Sequence, residues 1–152
     1  MVRMKDLYNQ KGYPKEWIEK RMRGISVRNE LTDEWNQRGA EEGFEYAILT
    51  NEIMQGAFDM KVADYKEFKG LEKENLRDHM TDIELILTML GEATTTKFTK
   101  DRDSQGFNKL QQDEKEGGEV AGKARKDIET RGHEGVISEE NHLPTQNIKK
   151  FD

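Results

Sequence analysis

The feature that most constrains the fold of this chain is one apolar run placed directly behind a helix-initiation signal. Thr81 and Glu84 have the spacing of a capping box, in which each side chain binds the other residue's backbone N–H. The helix behind this box would point apolar side chains almost all the way round, and such a helix has to be buried. Those residues are Ile83, Leu85, Ile86, Leu87, Met89, Leu90 and Ala93. The sequence therefore predicts an all-α, compact multi-helix domain around a buried central helix at about residues 82–95.

The overall composition supports a small helical core and excludes several kinds of site. Only 33% of the 152 residues are hydrophobic and 37% are charged, and two prolines leave helices uninterrupted. The absence of cysteine excludes disulfides, thiol chemistry and cysteine-ligated zinc. The apolar run Ile83–Leu90 is too short to span a bilayer, and no apolar segment near the N-terminus indicates a signal peptide. We therefore expect a cytoplasmic protein without membrane contact.

Helical periodicity divides the rest of the chain. We predict a polar N-terminal segment at 1–13, a helical domain at 14–143 and a flexible tail at 144–152. Within the domain, helices are predicted at Pro14–Arg38, Gly43–Phe58, Val62–Lys69 and Phe107–Arg131, with a helical turn in 71–79. A polar loop is expected at 100–106 and a short extended piece at 136–137.

The first long helix carries two apolar faces, and the stripe changes face near Gly24. One face holds Ile18, Met22 and Ile25, and the other holds Trp17, Val27, Leu31 and Trp35. This change predicts a kink near Gly24 or two helices that meet there. Two apolar faces on one long helix also suggest a homodimer.

Glycine and threonine residues could interrupt two of the later helices. Gly117, Gly118 and Gly122 predict either a break in the last helix or close packing against another helix. Residues 94–96 are three threonines, poor helix formers that we expect to fray the central helix.

In the second helix, the predicted inward residues are Phe44, Ala47, Ile48, Met54 and Phe58.

Two carboxylate patterns resemble metal sites, and neither is complete. Asp101, Asp103, Gln105 and Gly106 match the opening of a calcium loop, but glutamines stand at the fifth and twelfth positions, where oxygen ligands and a bidentate glutamate belong. A polar loop is the better interpretation. Asp64, Glu67 and Lys69 resemble the carboxylate–lysine set of metal nucleases, in which the carboxylates must converge on a metal ion. Here they follow a helical pattern, so an exposed helix face is favoured.

The three histidines, His79, His133 and His142, have no spacing typical of a metal site. We interpret His79, beside Asp78, as a surface or capping residue. No catalytic residue, metal or cofactor is predicted.

Positive charge is concentrated near the N-terminus. Residues 1–30 carry eight Lys/Arg against four Asp/Glu, whereas residues 31–152 carry 17 against 27. Clustered cations on one helix face are the usual means of contacting phosphates or an acidic partner. The candidate contacts are Lys15, Lys20, Arg21, Arg23 and Arg28. Trp17 and Tyr13 are candidates for base stacking, although Trp17 fits a core position equally.

A second basic group lies in an arrangement similar to a helix-turn-helix. Two helices flank a short turn at Phe58-Asp59-Met60, and the second helix carries Lys61, Lys66 and Lys69. Helix pairs of this kind are also common in proteins that do not bind DNA. These lysines are secondary candidates for nucleic-acid contact.

Several long motifs in the chain resemble the DNA-damage-inducible protein D family of bacteria and phages. The motifs are Trp17–Trp35, Glu45–Thr50, Tyr65–Leu71, Glu74–Asp82, Glu84–Ala93 and Gly117–Lys126. The resemblance extends from about Tyr13 to Leu143 and matches the C-terminal region of the family. Longer members carry an N-terminal domain of the BRO/phage antirepressor type, for which this chain has no counterpart.

The resemblance implies a protein of the DNA-damage (SOS) response without known catalytic residues, linked to the RecA recombinase filament or to DNA repair. The leading hypothesis is a non-enzymatic accessory protein that binds the RecA–DNA filament. A DNA-binding regulator of the antirepressor type is the alternative, followed by a metal-dependent nuclease.

Overall fold

The computed structural model describes residues 4–139, and this part of the chain is built from helices without a strand. The elements are α1 (Met4–Gln10), α2 (Lys15–Gln37), α3 (Phe44–Phe58), α4 (Val62–Phe68), a 3₁₀ helix (Leu76–His79), α5 (Asp82–Arg102) and α6 (Phe107–Gly132). The all-α prediction is confirmed. The expected tail at 144–152 lies outside the described residues, as does His142.

Four long helices form the body of the domain. Helix α6 packs against both α3 and α5, and α5 also packs against α2. The larger core cluster includes Trp17, Phe58 and Tyr65, and a smaller cluster is formed around Trp35 and Leu31. Helix α5 contacts all three of the other long helices, which confirms its central position.

Helix α5 begins as predicted and extends further than predicted. Thr81 Oγ1 accepts a bond from the Glu84 backbone N–H, and Glu84 Oε1 accepts one from the Thr81 N–H at 2.9 Å. The fraying expected at 94–96 is wrong, because Thr95 and Thr96 are buried and donate to backbone carbonyls one turn back. The helix therefore continues to Arg102, and the loop that follows is shorter than predicted.

The residues of α5 that face inward are largely polar. Leu85 and Leu87 are buried, but Ile86 and Leu90 are exposed. The polar side chains buried on α5 are Glu84, Thr88, Glu92, Thr95, Thr96 and Thr99. The central helix therefore has a polar stripe toward its neighbours, which hydrophobicity alone did not predict.

Helix α2 runs without interruption through Gly24, so the expectation of two separate helices is wrong. A Cβ on Gly24 would lie 3.7 Å from the Met89 side chain, which places this residue at the α2–α5 contact. Ile18 on one predicted face and Leu31 on the other are both buried within the chain. Both faces of α2 thus find partners inside the domain, and a homodimer stays a prediction.

The glycines of α6 mark close helix packing rather than a break. Helix α6 is continuous through Gly117, Gly118 and Gly122. A Cβ on Gly118 would lie 2.6 Å from the Ile53 carbonyl oxygen of α3, and one on Gly117 would collide with the Thr95 side chain of α5. Of the two alternatives left open by the sequence, the structure shows close packing.

Two of the inward positions predicted for α3 are wrong, because tertiary packing decided which face of that helix is buried. Phe44 is 79% exposed and Ala47 is also exposed, because α3 turns Leu49 and Ile53 toward its neighbours instead. The 1–13 segment contains α1, whose Tyr8 is buried. Residues 136–137 form no strand, and Val136 packs onto the larger core cluster.

No helix within residues 4–139 is both long and apolar enough to cross a membrane.

Candidate functional site

An open cavity of about 520 Å³ lies between α2, α3, α4 and the segment that leads into the 3₁₀ helix. Five of its lining residues are cationic, and none is a carboxylate. The cations are Arg21 and Arg28 from α2, Lys66 from α4, and Lys73 and Arg77 from the segment before α5. An apolar floor is supplied by Ile25, Met54, Val62 and Leu76. A cavity of this composition is suited to an anion.

Two of the arginines are held by one buried carboxylate. Arg77 donates to both carboxylate oxygens of Glu92, at 2.7 and 2.9 Å, and Arg28 donates to Glu92 Oε2 at 2.9 Å. The Glu92 side chain is 1% exposed. Burial alone would raise the pKa of Glu92, but the two guanidinium groups outweigh it, and the pKa is lowered. Glu92 therefore stays charged and holds both arginines in place.

Arg28 has further contacts that fix its position. Its guanidinium donates to Thr50 Oγ1 at 2.7 Å and lies 4.9 Å from the Trp35 ring centroid. Thr50 in turn donates to the Tyr46 carbonyl oxygen. Burial lowers the pKa of Arg28, and Glu92 offsets this only in part. Arg28 is therefore a structural residue that also lines the cavity.

The two lysines of the cavity are in a different situation. Within residues 4–139, neither Lys66 Nζ nor Lys73 Nζ has a hydrogen bond or an ion pair. Two acids close to them, Glu67 and Glu72, line a neighbouring cavity that shares Lys66. Lys66 and Lys73 are thus the positive charges of this cavity that remain available to a ligand.

Arg21 reaches the cavity from a buried aromatic cluster. Its Nε donates to Asp78 Oδ1 at 3.0 Å, and Tyr8 donates to the same oxygen at 2.6 Å. Burial, and after it the bond to Asp78, raises the pKa of Tyr8 to about 12. Because the Arg21 side chain is only 7% exposed, its main role is to link α1, α2 and the 3₁₀ helix.

The structure brings together only three of the eight candidate cations. Arg21, Arg28 and Lys66 line the same cavity, although they come from the two basic groups that the sequence analysis treated separately. The other five lie elsewhere. Lys15 and Lys61 are exposed and do not line this cavity. Lys20 Nζ lies 3.7 Å from Asp82 Oδ2.

The two remaining candidates have distinct environments. Arg23 is exposed and lines another cavity with Lys97 and Lys100. Lys69 is fully buried, and its Nζ donates to Glu84 Oε1 at 2.8 Å and to the Ser138 carbonyl oxygen at 2.7 Å. Its prediction as a nucleic-acid contact is wrong, because a buried ion pair already engages its charge.

The burial of Lys69 also removes the basis of the nuclease pattern. Tyr65 donates to the other oxygen of Glu84, so Lys69, Tyr65 and Glu84 form one buried polar group. Asp64 and Glu67 are exposed on α4. Within the described residues, no three His, Asp or Glu side chains are grouped in a way that would hold a metal ion.

Three further predictions can be compared with the structure. Trp17 is 1% exposed, and its indole N–H donates to the Met80 carbonyl oxygen, so it belongs to the core and does not stack on bases. His79 is buried at the last position of the 3₁₀ helix, so the surface alternative for it is wrong. In the calcium-like pattern, Asp101 lies in α5 and binds Lys97, whereas Asp103 caps the end of that helix and binds Arg38. The polar loop therefore begins after Arg102, later than predicted.

Lys73, Arg77 and Glu92 were not identified from the sequence. A signal for Glu92 exists, because Glu84, Thr88, Glu92, Thr95 and Thr99 recur at helical spacing in a strongly apolar helix. A polar stripe of this kind predicts buried partners on neighbouring helices. No comparable pattern marks Lys73 or Arg77, whose placement depends on the chain folding back onto α2.

Comparison with known proteins gives one match. The family model of the DinD C-terminal domain matches residues 18–151. No curated protein and no solved structure matches the chain. Since the matched range covers most of the 152 residues, the chain belongs to the DinD C-terminal domain family.

Proposed function

We propose that this chain is a non-enzymatic accessory protein of the DNA-damage response that binds the filament of a RecA-type recombinase on DNA. Family membership supports the damage-related role. The observation that carries the binding role is the cation-lined cavity, in which Lys66 and Lys73 have no acidic partner within the described residues. A nucleoprotein filament is a polyanion, so a cavity with excess positive charge is complementary to it.

The non-enzymatic part of the proposal draws on three of the buried acids, each of which is held in an ion pair. Glu84 binds Lys69 and Tyr65, Glu92 binds two arginines, and Asp113 binds Arg102 and Thr99. These carboxylates stabilise contacts between helices, so they are not free to act as general bases or metal ligands. We place the protein in the cytoplasm, where such a filament assembles.

The test is cosedimentation with RecA filaments on circular single-stranded DNA, combined with a strand-exchange assay. We expect the wild-type chain to pellet with the filament and to change the rate of strand exchange. Lys66→Gln/Lys73→Gln is expected to weaken both effects. The matched control is Lys115→Gln/Lys123→Gln, which removes two exposed charges from α6.

Absence of wild-type pelleting, together with an unchanged strand-exchange rate, would eliminate the proposal. Equal losses in the cavity variant and in the α6 control would mean that net charge alone drives the association, which would remove the cavity from the proposal.

A further inference from the structure

We propose that the cavity between α2, α4 and residues 73–77 is a phosphate-binding groove for the backbone of single-stranded DNA. This inference deepens the proposed function and rests on it for the choice of DNA as the phosphate source. The geometry itself assigns the chemistry, because five cations and no carboxylate line the cavity.

The charge of the groove favours a ligand with more than one anionic group. Arg21 is paired with Asp78, and Arg28 and Arg77 share Glu92. The five cationic side chains are therefore paired with two carboxylates, an excess of three positive charges over these ion pairs. Glu67 and Glu72 line the neighbouring cavity rather than this one. Neither Glu92 nor Asp78 lines the cavity, so the carboxylates that pair with the arginines are not among the groups that would meet a ligand.

The groove is preorganised for such a ligand. Arg77 is held at both ends, since its backbone N–H donates to Asn75 Oδ1 and its guanidinium binds Glu92 in a bidentate manner. Arg28 is fixed by Glu92 and Thr50. A site whose arginines are already ordered loses less conformational entropy on binding. The unpaired lysines then supply mobile contacts to successive phosphates.

The lining residues also indicate whether the groove would recognise the bases of the strand. No aromatic side chain is among the lining residues, so the groove offers no surface for base stacking. Contacts to phosphates alone carry no sequence information. The phosphates of a duplex lie on a stiff convex surface, whereas a single strand can bend into a concave site of about 520 Å³. We therefore expect sequence-independent binding with a preference for single strands.

The experiment measures fluorescence anisotropy of a labelled 20-nucleotide oligothymidylate titrated with the full chain, without recombinase, between 50 and 200 mM salt. Neutralisation of three phosphates predicts a slope of log K against log salt of about −2. Lys66→Gln/Lys73→Gln should lower the affinity roughly tenfold and bring the slope to about −0.7. Lys115→Gln/Lys123→Gln should leave both values close to those of the wild type.

Unlabelled oligothymidylate is compared with three other competitors that separate the sources of negative charge: inorganic phosphate, a duplex of the same length and a polyglutamate peptide. Displacement by unlabelled oligothymidylate, with at least fivefold weaker displacement by the duplex and by polyglutamate, is the expected result. If polyglutamate displaces the strand equally well, the groove binds acidic chains in general and the inference is overturned. Binding of phosphate without binding of the strand would also overturn it.

The outcome is independent of the filament test. A chain that pellets with filaments but does not bind oligothymidylate retains the proposed function and loses this inference. A chain that binds oligothymidylate through Lys66 and Lys73 but does not pellet with filaments retains this inference and loses the proposed function. Circular dichroism spectra and melting temperatures of both lysine variants confirm that they are folded.

Discussion

The backbones of Gly56 in α3 and Gly118 in α6 lie against each other, so closely that a Cβ on Gly56 would be 2.7 Å from the Gly118 carbonyl carbon. Glycine at both positions lets the two helices approach to backbone contact. The same crossing brings Gly122 against the Gly56 carbonyl oxygen. This crossing positions α3, and with it Thr50 and Met54 at the wall of the cation-lined cavity.

Replacing Gly122 by alanine is expected to destabilise the domain by about 1–3 kcal/mol, because the new methyl group would collide with the backbone of α3. Urea denaturation measures the change in the free energy of unfolding. Gly132→Ala is the matched control, since nothing lies within 4 Å of a Cβ at that end of the same helix. An unchanged stability for Gly122→Ala would show that α3 and α6 do not make backbone contact.

Replacing Glu92 by glutamine should reduce the stability at pH 7 by about 3 kcal/mol, because two mostly buried guanidinium groups would lose their counter-charge. The pKa of Glu92 is lowered from 4.5 in the folded state, so the unfolded chain binds the proton more readily. Its stabilisation is therefore present above pH 4.5 and is lost as the pH falls below that value.

The measurement for Glu92 is urea denaturation at pH 7 and at pH 3.5. The difference between wild type and Glu92→Gln should shrink at the lower pH. Glu119→Gln, at an exposed position of α6, serves as the control and should match the wild type at pH 7. A constant difference at both pH values would contradict the ion-pair explanation.

Replacing Lys69 by methionine is expected to cost about 3 kcal/mol, because Glu84 would be left as a buried charge without its ammonium partner. The double variant Lys69→Met/Glu84→Gln should recover part of this loss. Glutamine can place its one oxygen at the Thr81 N–H. Its amide NH2 then faces the Tyr65 hydroxyl, which can accept as well as donate, so no charge is buried. Thermal unfolding of both variants and of the exposed Lys61→Met control tests this; a double variant less stable than Lys69→Met would refute it.

Glu114 is expected to make stability fall as the pH rises. Its carboxyl group accepts a bond from the Trp35 indole, and its other oxygen has no partner among the described residues. Burial raises the pKa of Glu114 from 4.5 to about 9, so the folded chain retains a proton that the unfolded chain has lost. The stabilisation is complete below pH 4.5 and is lost as the pH rises through about 9.

Glu114→Gln keeps an acceptor for Trp35 but has no proton to lose. Chemical denaturation in steps from pH 5 to pH 9 should therefore show a smaller decline for this variant than for the wild type. Glu119→Gln again provides the control for loss of one acid. Parallel declines in the wild type and in Glu114→Gln would assign the pH dependence to other groups.

Sequence reasoning succeeded where a signal is local. The capping box at Thr81 and Glu84 was correct because both bonds lie within one turn of helix. The prediction that Phe44 and Ala47 point inward was wrong, because helical periodicity does not say which of two adjacent faces a neighbouring helix will cover. Only the approach of α6 to α3 selects Leu49 and Ile53 as the buried residues.

The candidate site was found in part. Arg21, Arg28 and Lys66 were identified as cations. Their convergence with Lys73 and Arg77 was missed, because Arg21 and Arg28 lie more than forty positions before those two residues in the chain. Lys69 was predicted as a nucleic-acid contact from its residue type and position, but its ammonium group forms a buried ion pair with Glu84.

The amino-acid sequence by itself determined the helical class, the start of the central helix and the supply of positive charge, because these depend on neighbours within a few residues. Tertiary structure alone decided which cations are engaged by buried carboxylates and which face a cavity. The physical reason is that burial and ion pairing depend on side chains that folding brings together from distant parts of the chain.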